Sequence, residues 1–359
     1  MAHGGAITHG GGQTRCVGAF DEGVSDVRFL GGTTPRGSLA AACWDSNVHV
    51  FIASDDDEGR RLAFETGGPV LGCETVDEGR GVVSASLDAS VTKHDLETGS
   101  RTTIGSHGVS GAVGSTGDIA FGASAVRAAR FSSPHVLASG GWDGRLKLWD
   151  SRCAGATVGH EAAVEAQLPG KCYGLDVAAG GNHIVAVTNG RKLASYDVRS
   201  GIIAALDQIG PSVSLPYQPR CVRISPDGRS QAIAYLEGKV TIEQTATQKA
   251  PGKPFTFKCH RKANAVFPVN AVAFSPLNNA LVFTGGSDGF VNAWDISARK
   301  KIFQFAKFAS SVSAIDINDT GDAIAVASSY AFEQGDVSDA GPNQVFVRSL
   351  DEPEFVAGR

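Results

Sequence analysis

The chain has 359 residues, a formal net charge of −5, 19% charged residues and 42% hydrophobic residues. So low a charge fraction excludes extended disorder outside the ends, and a slightly acidic total excludes gross nucleic-acid binding through net charge. No stretch approaches the roughly 18–20 apolar residues of a membrane-spanning helix.

Residues 1–13, rich in Gly, Ala and His, read as a disordered N-terminal tail without the charged and apolar regions of a secretory signal. Thr14–Phe20 follows as a strand that either begins the first sheet or completes the last. Overlap of the two chain ends in one sheet would close a ring by strand pairing alone. Asp45 lies six residues before Phe51, with Trp44 in front of it. Asp55–Glu58 is an acidic, solvated loop. Ser84, Asp88 and His94 follow a spacing of four and then six. That spacing is sharpest in Ser139, Asp143 and Trp149 and again in Thr284, Asp288 and Trp294, where Ser139–Asp150 and Thr284–Asp295 share one layout. Weaker copies put Gly190 six before Tyr196 and Glu237 six before Glu243. The last copy is degenerate: Ala323–Ser329, a polar surface insertion over 331–343, then Gln344–Leu350. Residues 351–359 read as a C-terminal tail.

The turn positions are 45, 88, 143, 190, 237 and 288, in steps of 43, 55, 47, 47 and 51. Such steps fit a four-stranded unit of roughly 40–45 residues with loop insertions. Apolar residues alternating with polar ones read as half-buried strands. Asp-Gly and Asn-Gly supply tight hairpins. The expected fold is all-β, a seven-bladed WD-repeat β-propeller forming one domain over 14–350, in which only short, protected edges remain. A His stands before several copies: His107, His160 and His260. In the WD-repeat pattern this His bonds the turn Asp, and the Ser or Thr and the Trp complete a buried network. His107, Ser139, Asp143 and Trp149 form one such set, and His260, Thr284, Asp288 and Trp294 another. A hydrolase needs one Ser-His-Asp triad; these residues recur in register, so they read as structural and the chain as no enzyme.

The seven cysteines are scattered, odd in number and free of any Cys-x-x-Cys spacing. They read as buried thiols of a reducing compartment, cytosol or nucleus. Cys259 and His260 are adjacent rather than zinc-spaced, so no metal and no cofactor is expected. One segment departs from the average charge. Between Tyr217 and Lys262 nine basic residues oppose three acidic ones, a local charge of +6. It reads either as scattered surface charge or as a docking patch for an acidic or phosphorylated segment. A phosphothreonine carries close to two negative charges and three acceptor oxygens.

Motifs in and around this segment carry a resemblance. Arg220-Cys-Val-Arg223, Leu236-Glu-Gly-Lys-Val240, Phe255-Thr-Phe-Lys-Cys-His-Arg261, Pro268–Phe274, Gly285–Asn292 and Ala327–Tyr330 resemble the mitotic checkpoint propeller of the budding-uninhibited-by-benzimidazole family. The likeness covers about 14–350, is strongest over 217–330 and is weakest over 52–125. A sister family, the propeller that helps export messenger RNA at nuclear pores, shares the Glu-Gly-Lys/Arg and Phe-Lys-Cys-His-Arg runs. Ser287–Asn292 sits closer to the checkpoint member.

The resemblance implies a non-enzymatic adaptor of the spindle assembly checkpoint. It would bind a GLEBS segment of a checkpoint kinase or its pseudokinase relative through Arg220, Arg223, Trp44 and Trp142. It would read phosphothreonine in Met-Glu-Leu-Thr repeats of a kinetochore scaffold through Lys239, Lys258 and Arg261. Lys239 stands where Arg is more usual, which keeps the charge but loses the bidentate fork. The implied location is the nucleus, with the kinetochore in mitosis; the cytoplasm stays open. The implied assembly is a monomeric propeller inside hetero-complexes, with no direct nucleic acid and no membrane. Export through a nucleoporin GLEBS segment is the alternative, and nuclear-pore or ubiquitin-binding partners stay open. Partial burial against a neighbouring blade is the other reading of Trp44 and Trp142, and a solvated strand end that of Lys258 and Arg261.

Overall fold

A computed structural model describes residues 7–8, 13–32, 34–53, 60–107, 123–129, 136–150, 164–181, 183–198, 207–208, 212–247, 253–335, 337, 340–350 and 355. Asp55–Glu58, Cys153 and His160 lie outside them.

Seven antiparallel blade sheets stand around an axis, and between blades 5 and 6 a separate two-stranded ladder pairs Arg261–Lys262 with Ala265–Val266. Blade 1 is typical, with strands Val24–Phe29, Leu39–Cys43, Asn47–Ile52 and Arg60–Glu65. The innermost strands of the others are Val70–Val76, Ala123–Ala129, Cys172–Val177, Pro219–Ile224, Val269–Phe274 and Val312–Ile317. Each inner strand contacts the next around the ring, and the last contacts the first. In blade 4 the outer edge is split between Asp207–Gln208 and Val213–Ser214, both paired with Lys192–Asp197. Blade 7 takes its outer strand from the start of the chain: Gln13–Phe20 pairs with Asn343–Ser349, Thr14 opposite Arg348 and Phe20 opposite Asn343. Thr14–Phe20 therefore completes the last sheet rather than beginning the first. Ile7–Thr8, within the stretch read as a tail, pairs in turn with Gln13 and Thr14.

Burial explains the strand sequences. Second strands are sandwiched by both neighbouring blades, so Leu39–Cys43, Gly81–Ser86, Val136–Gly141, His183–Thr188 and Leu281–Gly286 are buried at every position. A sheet covered on both faces takes near-continuous apolar or small runs. Outer strands such as Phe255–Lys258 alternate half-buried and exposed. The core is divided among seven clusters, one at each blade interface. Phe355, from the stretch read as a C-terminal tail, is buried in the blade 6–7 cluster against Phe283, Phe303 and Phe305.

The six turn positions read from the sequence all fall between second and third strands. In four of these turns the Asp carboxylate accepts the amide two residues on, at 2.9 Å for Asp45, 2.9 Å for Asp88, 3.0 Å for Asp143 and 3.2 Å for Asp288. The intervening residue is left-handed, which suits Gly144 and Gly289 and is imposed on Ser46 and Ala89.

Blades 3 and 6 carry the full side-chain network. His107 Nδ1 lies 3.1 Å from Asp143, its Nε2 lies 2.6 Å from Ser139 Oγ, and the Trp149 indole donates to the same hydroxyl at 2.7 Å. His260, Asp288, Thr284 and Trp294 repeat this at 2.8, 2.8 and 3.0 Å. Burial alone would raise the Asp143 carboxyl; the His107 bond and charge outweigh it and hold it below the usual carboxylate range. The paired glycines after the hydroxyl residue have a steric cause. A Cβ at Gly140 would meet Cys172 Sγ at 2.4 Å, and one at Gly141 would meet His107 Nδ1 at 2.3 Å.

Blade 2 has a reduced version, in which His94 stands where Trp stands in blades 3 and 6. Its Nε2 lies 2.9 Å from Ser84 Oγ and the ring is fully buried. Burial, with Arg101 nearby, pushes its pKa down to about 4.

Replacing Ser139 by Ala leaves a buried His nitrogen and a buried indole N–H without a partner, at a cost of about 3 kcal/mol. Thr at 139 reproduces the Thr284 arrangement and is expected to retain most stability; chemical denaturation of both variants checks this. His94 is neutral in the fold but titrates near pH ~6.5 when unfolded. The unfolded chain therefore binds the extra proton, so stability is complete above that value and falls as pH drops toward about 4. His94→Gln should flatten this part of a denaturation-midpoint profile.

Candidate functional site

Every inner strand carries one irregularity at the same place. The register against the second strand shifts between Val24 and Asp26, Val70 and Gly72, Ala123 and Ala125, Cys172 and Gly174, Pro219 and Cys221, Val269 and Ala271, and Val312 and Ala314. A bulge leaves one residue out of the ladder and re-aims it. The bulged residues Ser25, Leu71, Tyr173, Arg220, Asn270 and Ser313 all line one cavity of about 720 Å³ at the mouth of the central channel. Ser124, the seventh, has no described side chain.

Three bulged residues brace the next blade. Ser313 Oγ donates to Val24 O at 2.6 Å, Ser25 Oγ to Val70 O at 2.5 Å, and Asn270 Nδ2 to Val312 O at 3.0 Å. Tyr173 and Arg220 are exposed instead. They form the wall of the mouth with Trp142 and Leu236 on the side of blades 3–5. Trp44, Tyr330, Phe332 and Glu22 form the facing wall, on the side of blades 7 and 1. Trp44, Trp142, Arg220 and Arg223 therefore share one cavity.

Arg223 sits deeper than Arg220. Its position in the inner strand is held by Arg28 in blade 1, Glu74 in blade 2, Arg127 in blade 3, Asp176 in blade 4, Ala273 in blade 6 and Asp316 in blade 7. Charge alternates around this ring except at Ala273. Arg28 is buried and lies 3.6 Å from Glu74, 3.8 Å from Asp316 and 3.1 Å from Asp26 of its own strand. Burial opposes its charge, but those three carboxylates hold its pKa above the usual value. Asp316 and Asp176 also accept inter-blade amides, from Phe29 at 2.8 Å and Ile224 at 2.6 Å. Arg223 thus belongs to a structural charge ring as well as to the cavity.

Lys239, Lys258 and Arg261 gather at the edge of blade 5, beside Leu236. Lys239 and Lys258 are directly opposed on neighbouring strands. Lys239 Nζ stands 3.5 Å above the Tyr217 ring. Arg261 donates to Glu237 O at 2.6 Å and Gly238 O at 3.3 Å, so it braces the adjoining turn. Opposed like charges on a sheet cost about 0.2–1 kcal/mol, a cost that an anion between them would remove.

Cys43, Asp45 and His49 bring three potential ligand atoms within 4.8 Å of one another. Burial pushes the Cys43 thiol up to about 12, and His49 Nε2 lies 2.7 Å from Asp45 Oδ2. This is the arrangement of a braced turn. Of the other cysteines, Cys73, Cys172 and Cys259 are buried, and Cys16 and Cys221 partly so.

Sequence reasoning missed Tyr173, Leu236, Tyr330, Phe332 and Glu22. For Tyr173 a signal existed: the bulged residue follows the first residue of each inner strand, as in Val-Ser-Asp-Val27, Cys-Tyr-Gly-Leu175 and Pro-Arg-Cys-Val222. The two kinds of bulged residue should differ in thermal unfolding. Asn270→Ala and Ser313→Ala each lose an inter-blade bond and about 1 kcal/mol. Tyr173→Ala and Arg220→Ala should stay within about 0.5 kcal/mol of the parent.

The WD domain, G-beta repeat family matches residues 119–150 and 253–295. Mitotic checkpoint protein BUB3.1 of Arabidopsis thaliana is 33% identical over 93% of this chain and 91% of its own length. Mitotic checkpoint protein bub-3 of Caenorhabditis elegans is 32% identical over 92% of each. Protein Rae1 of Drosophila melanogaster is 30% identical over 92% of this chain and 91% of its own. With identity at this level running through all seven blades, the chain belongs to the BUB3 family of WD-repeat β-propellers.

Proposed function

We propose that this propeller is a non-enzymatic adaptor of the spindle assembly checkpoint, working in the nucleus and at the mitotic kinetochore. Its channel mouth holds a GLEBS segment of a checkpoint kinase or pseudokinase. The edge of blade 5 reads phosphothreonine in Met-Glu-Leu-Thr repeats of a kinetochore scaffold. One observation carries this reading: Trp44, Trp142, Arg220 and Arg223 line one cavity with Leu236, and the turn that follows Leu236 is braced by Arg261 and leads into Lys239, opposite Lys258. The aromatic residues offer flat contact area at low entropic cost. Arg220 offers a planar fork for a carboxylate. The Ser, His and Asp residues that could suggest hydrolysis are engaged with indoles inside blades 3 and 6.

Electrostatics supplies the switch. Without phosphate the opposed lysines repel. A phosphate introduces close to two negative charges and allows charge-assisted bonds. The kinase that writes the mark would thereby set where the adaptor and its tethered partner sit. Similarity to Rae1, and to the Poly(A)+ RNA export protein of Schizosaccharomyces pombe at 28% identity, favours a second reading, export through a nucleoporin GLEBS segment.

A phosphorylated Met-Glu-Leu-Thr peptide should bind the propeller–GLEBS complex, and Lys258→Ala with Arg261→Ala should abolish binding in fluorescence anisotropy. Equal affinity for phosphorylated and plain peptide would overturn phosphate reading. Arg223→Glu should strip off the GLEBS segment. Because Arg223 also lies in the charge ring, Arg220→Glu is the paired variant, with thermal unfolding as the control for folding. Full co-purification with both variants would remove the GLEBS assignment. Recovery of a nucleoporin instead of a checkpoint kinase from mitotic cells would favour export.

A further inference from the structure

The two walls of the channel mouth differ in charge. On the side of blade 5, Arg220 makes no ion pair or side-chain hydrogen bond among the described residues. On the opposite side, Glu22 is exposed and its carboxylate likewise has no partner among them. Glu22 lies in the short link between the closing strand and blade 1, next to Gly23. A Cβ at Gly23 would stand 3.5 Å from Ser329 Oγ and 3.6 Å from Trp44 Cδ1, so Trp44 and the start of the 329–332 stretch flank this glycine closely. Tyr330 and Phe332 face each other at 5.4 Å, with an angle of 42° between their planes.

These aromatic groups are held but not covered. The Tyr330 hydroxyl donates to Gly335 O and accepts the Gln334 amide, both at 2.9 Å. Glu333 is occupied by Ser311 Oγ and the Ala331 amide. Yet Phe332 is 63% exposed and Trp44 43% exposed. The corner thus exposes aromatic surface of Trp44 and Phe332, with half-buried Tyr330 behind it, beside the carboxylate of Glu22, which has no partner among the described residues. Ring faces attract cations through their quadrupoles, and a nearby carboxylate supplies the matching charge.

We infer that this corner binds a lysine or arginine side chain of the segment that crosses the mouth, and so fixes that segment's direction: basic residue over blades 7 and 1, acidic residues over blade 5. The direction rests on the proposed GLEBS reading; the cation site itself does not. A segment laid the other way would set acidic residues against Glu22 and its cation against Arg220. Like-charge contacts at both ends would reject it.

Two measurements separate the site from the function. Tryptophan fluorescence should report titration of the intact propeller with N-acetyl-arginine amide and N-acetyl-lysine amide, and show much weaker binding of the neutral norleucine amide. Glu22→Gln and Trp44→Leu should each weaken binding of the cationic amides by about tenfold. Equal binding of the neutral amide, or no change in Glu22→Gln, overturns the cation site. Next, each basic residue of a bound GLEBS peptide is replaced by norleucine, against both parent propeller and Glu22→Gln. One peptide position should lose about tenfold affinity against the parent and little against the variant. If the peptide binds and Arg220→Glu abolishes binding, but no basic position couples to Glu22, the direction falls and the proposed function stands. If no GLEBS peptide binds, the proposed function falls and the amide titration still decides the corner.

Discussion

The ring exists because residues from the two ends of the described chain share one sheet. Gln13–Phe20 pairs with Asn343–Ser349, and Val17 and Val345 join one cluster with Val27 and Ala41 of blade 1. Every other blade interface has its own cluster, and no blade can cover both of its faces alone. Stability of stacked repeats is a sum of such neighbour terms. Losing this closure would uncover a face of blade 1, a face of blade 7 and the edge of Asn343–Ser349 together. An uncovered strand edge is a template for wrong pairing.

On this closed scaffold the inner strands divide their work by register. One position per strand bulges into the channel mouth. In blades 1, 6 and 7 that residue is Ser, Asn or Ser and ties the next blade in place. In blades 4 and 5 it is Tyr or Arg and stays available. Three residues further along, the strands carry residues of alternating charge except at Ala273, and Arg28 meets Glu74 and Asp316 there. Burying such charges is costly unless they are paired, and the ring pairs Arg28 with neighbours from two other blades. The mouth can therefore be open and reactive toward partners while the channel beneath it is fixed.

The edge of blade 5 shows the opposite economy. Lys239 and Lys258 face each other across paired strands, and Lys239 is held over the Tyr217 ring. Such a pairing works against the sheet that carries it. The strand that carries Lys239 follows the turn of Leu236, which lines the cavity wall.

The repeat, the blade count and the position of six turns between second and third strands were legible in the sequence, because local chemistry fixes them. Asp143 and Asp288 must accept the amide two residues on, Gly140 and Gly141 must admit Cys172 and His107, and Ser139 must serve His107 and Trp149. The motif motivating Arg220 and Arg223 was legible too, but not that Arg220 is exposed at the bulge while Arg223, lining the same cavity, sits deeper in the charge ring. That difference comes from a bulge between neighbouring strands, a property of pairing rather than of either segment. Nor could the string place Glu22, Trp44 and Phe332 in one corner, since they are up to 310 residues apart and meet only when closure brings blade 7 beside blade 1. Periodicity and turn chemistry act over a few residues and so are written locally; which side chains face a common partner is decided by long-range packing.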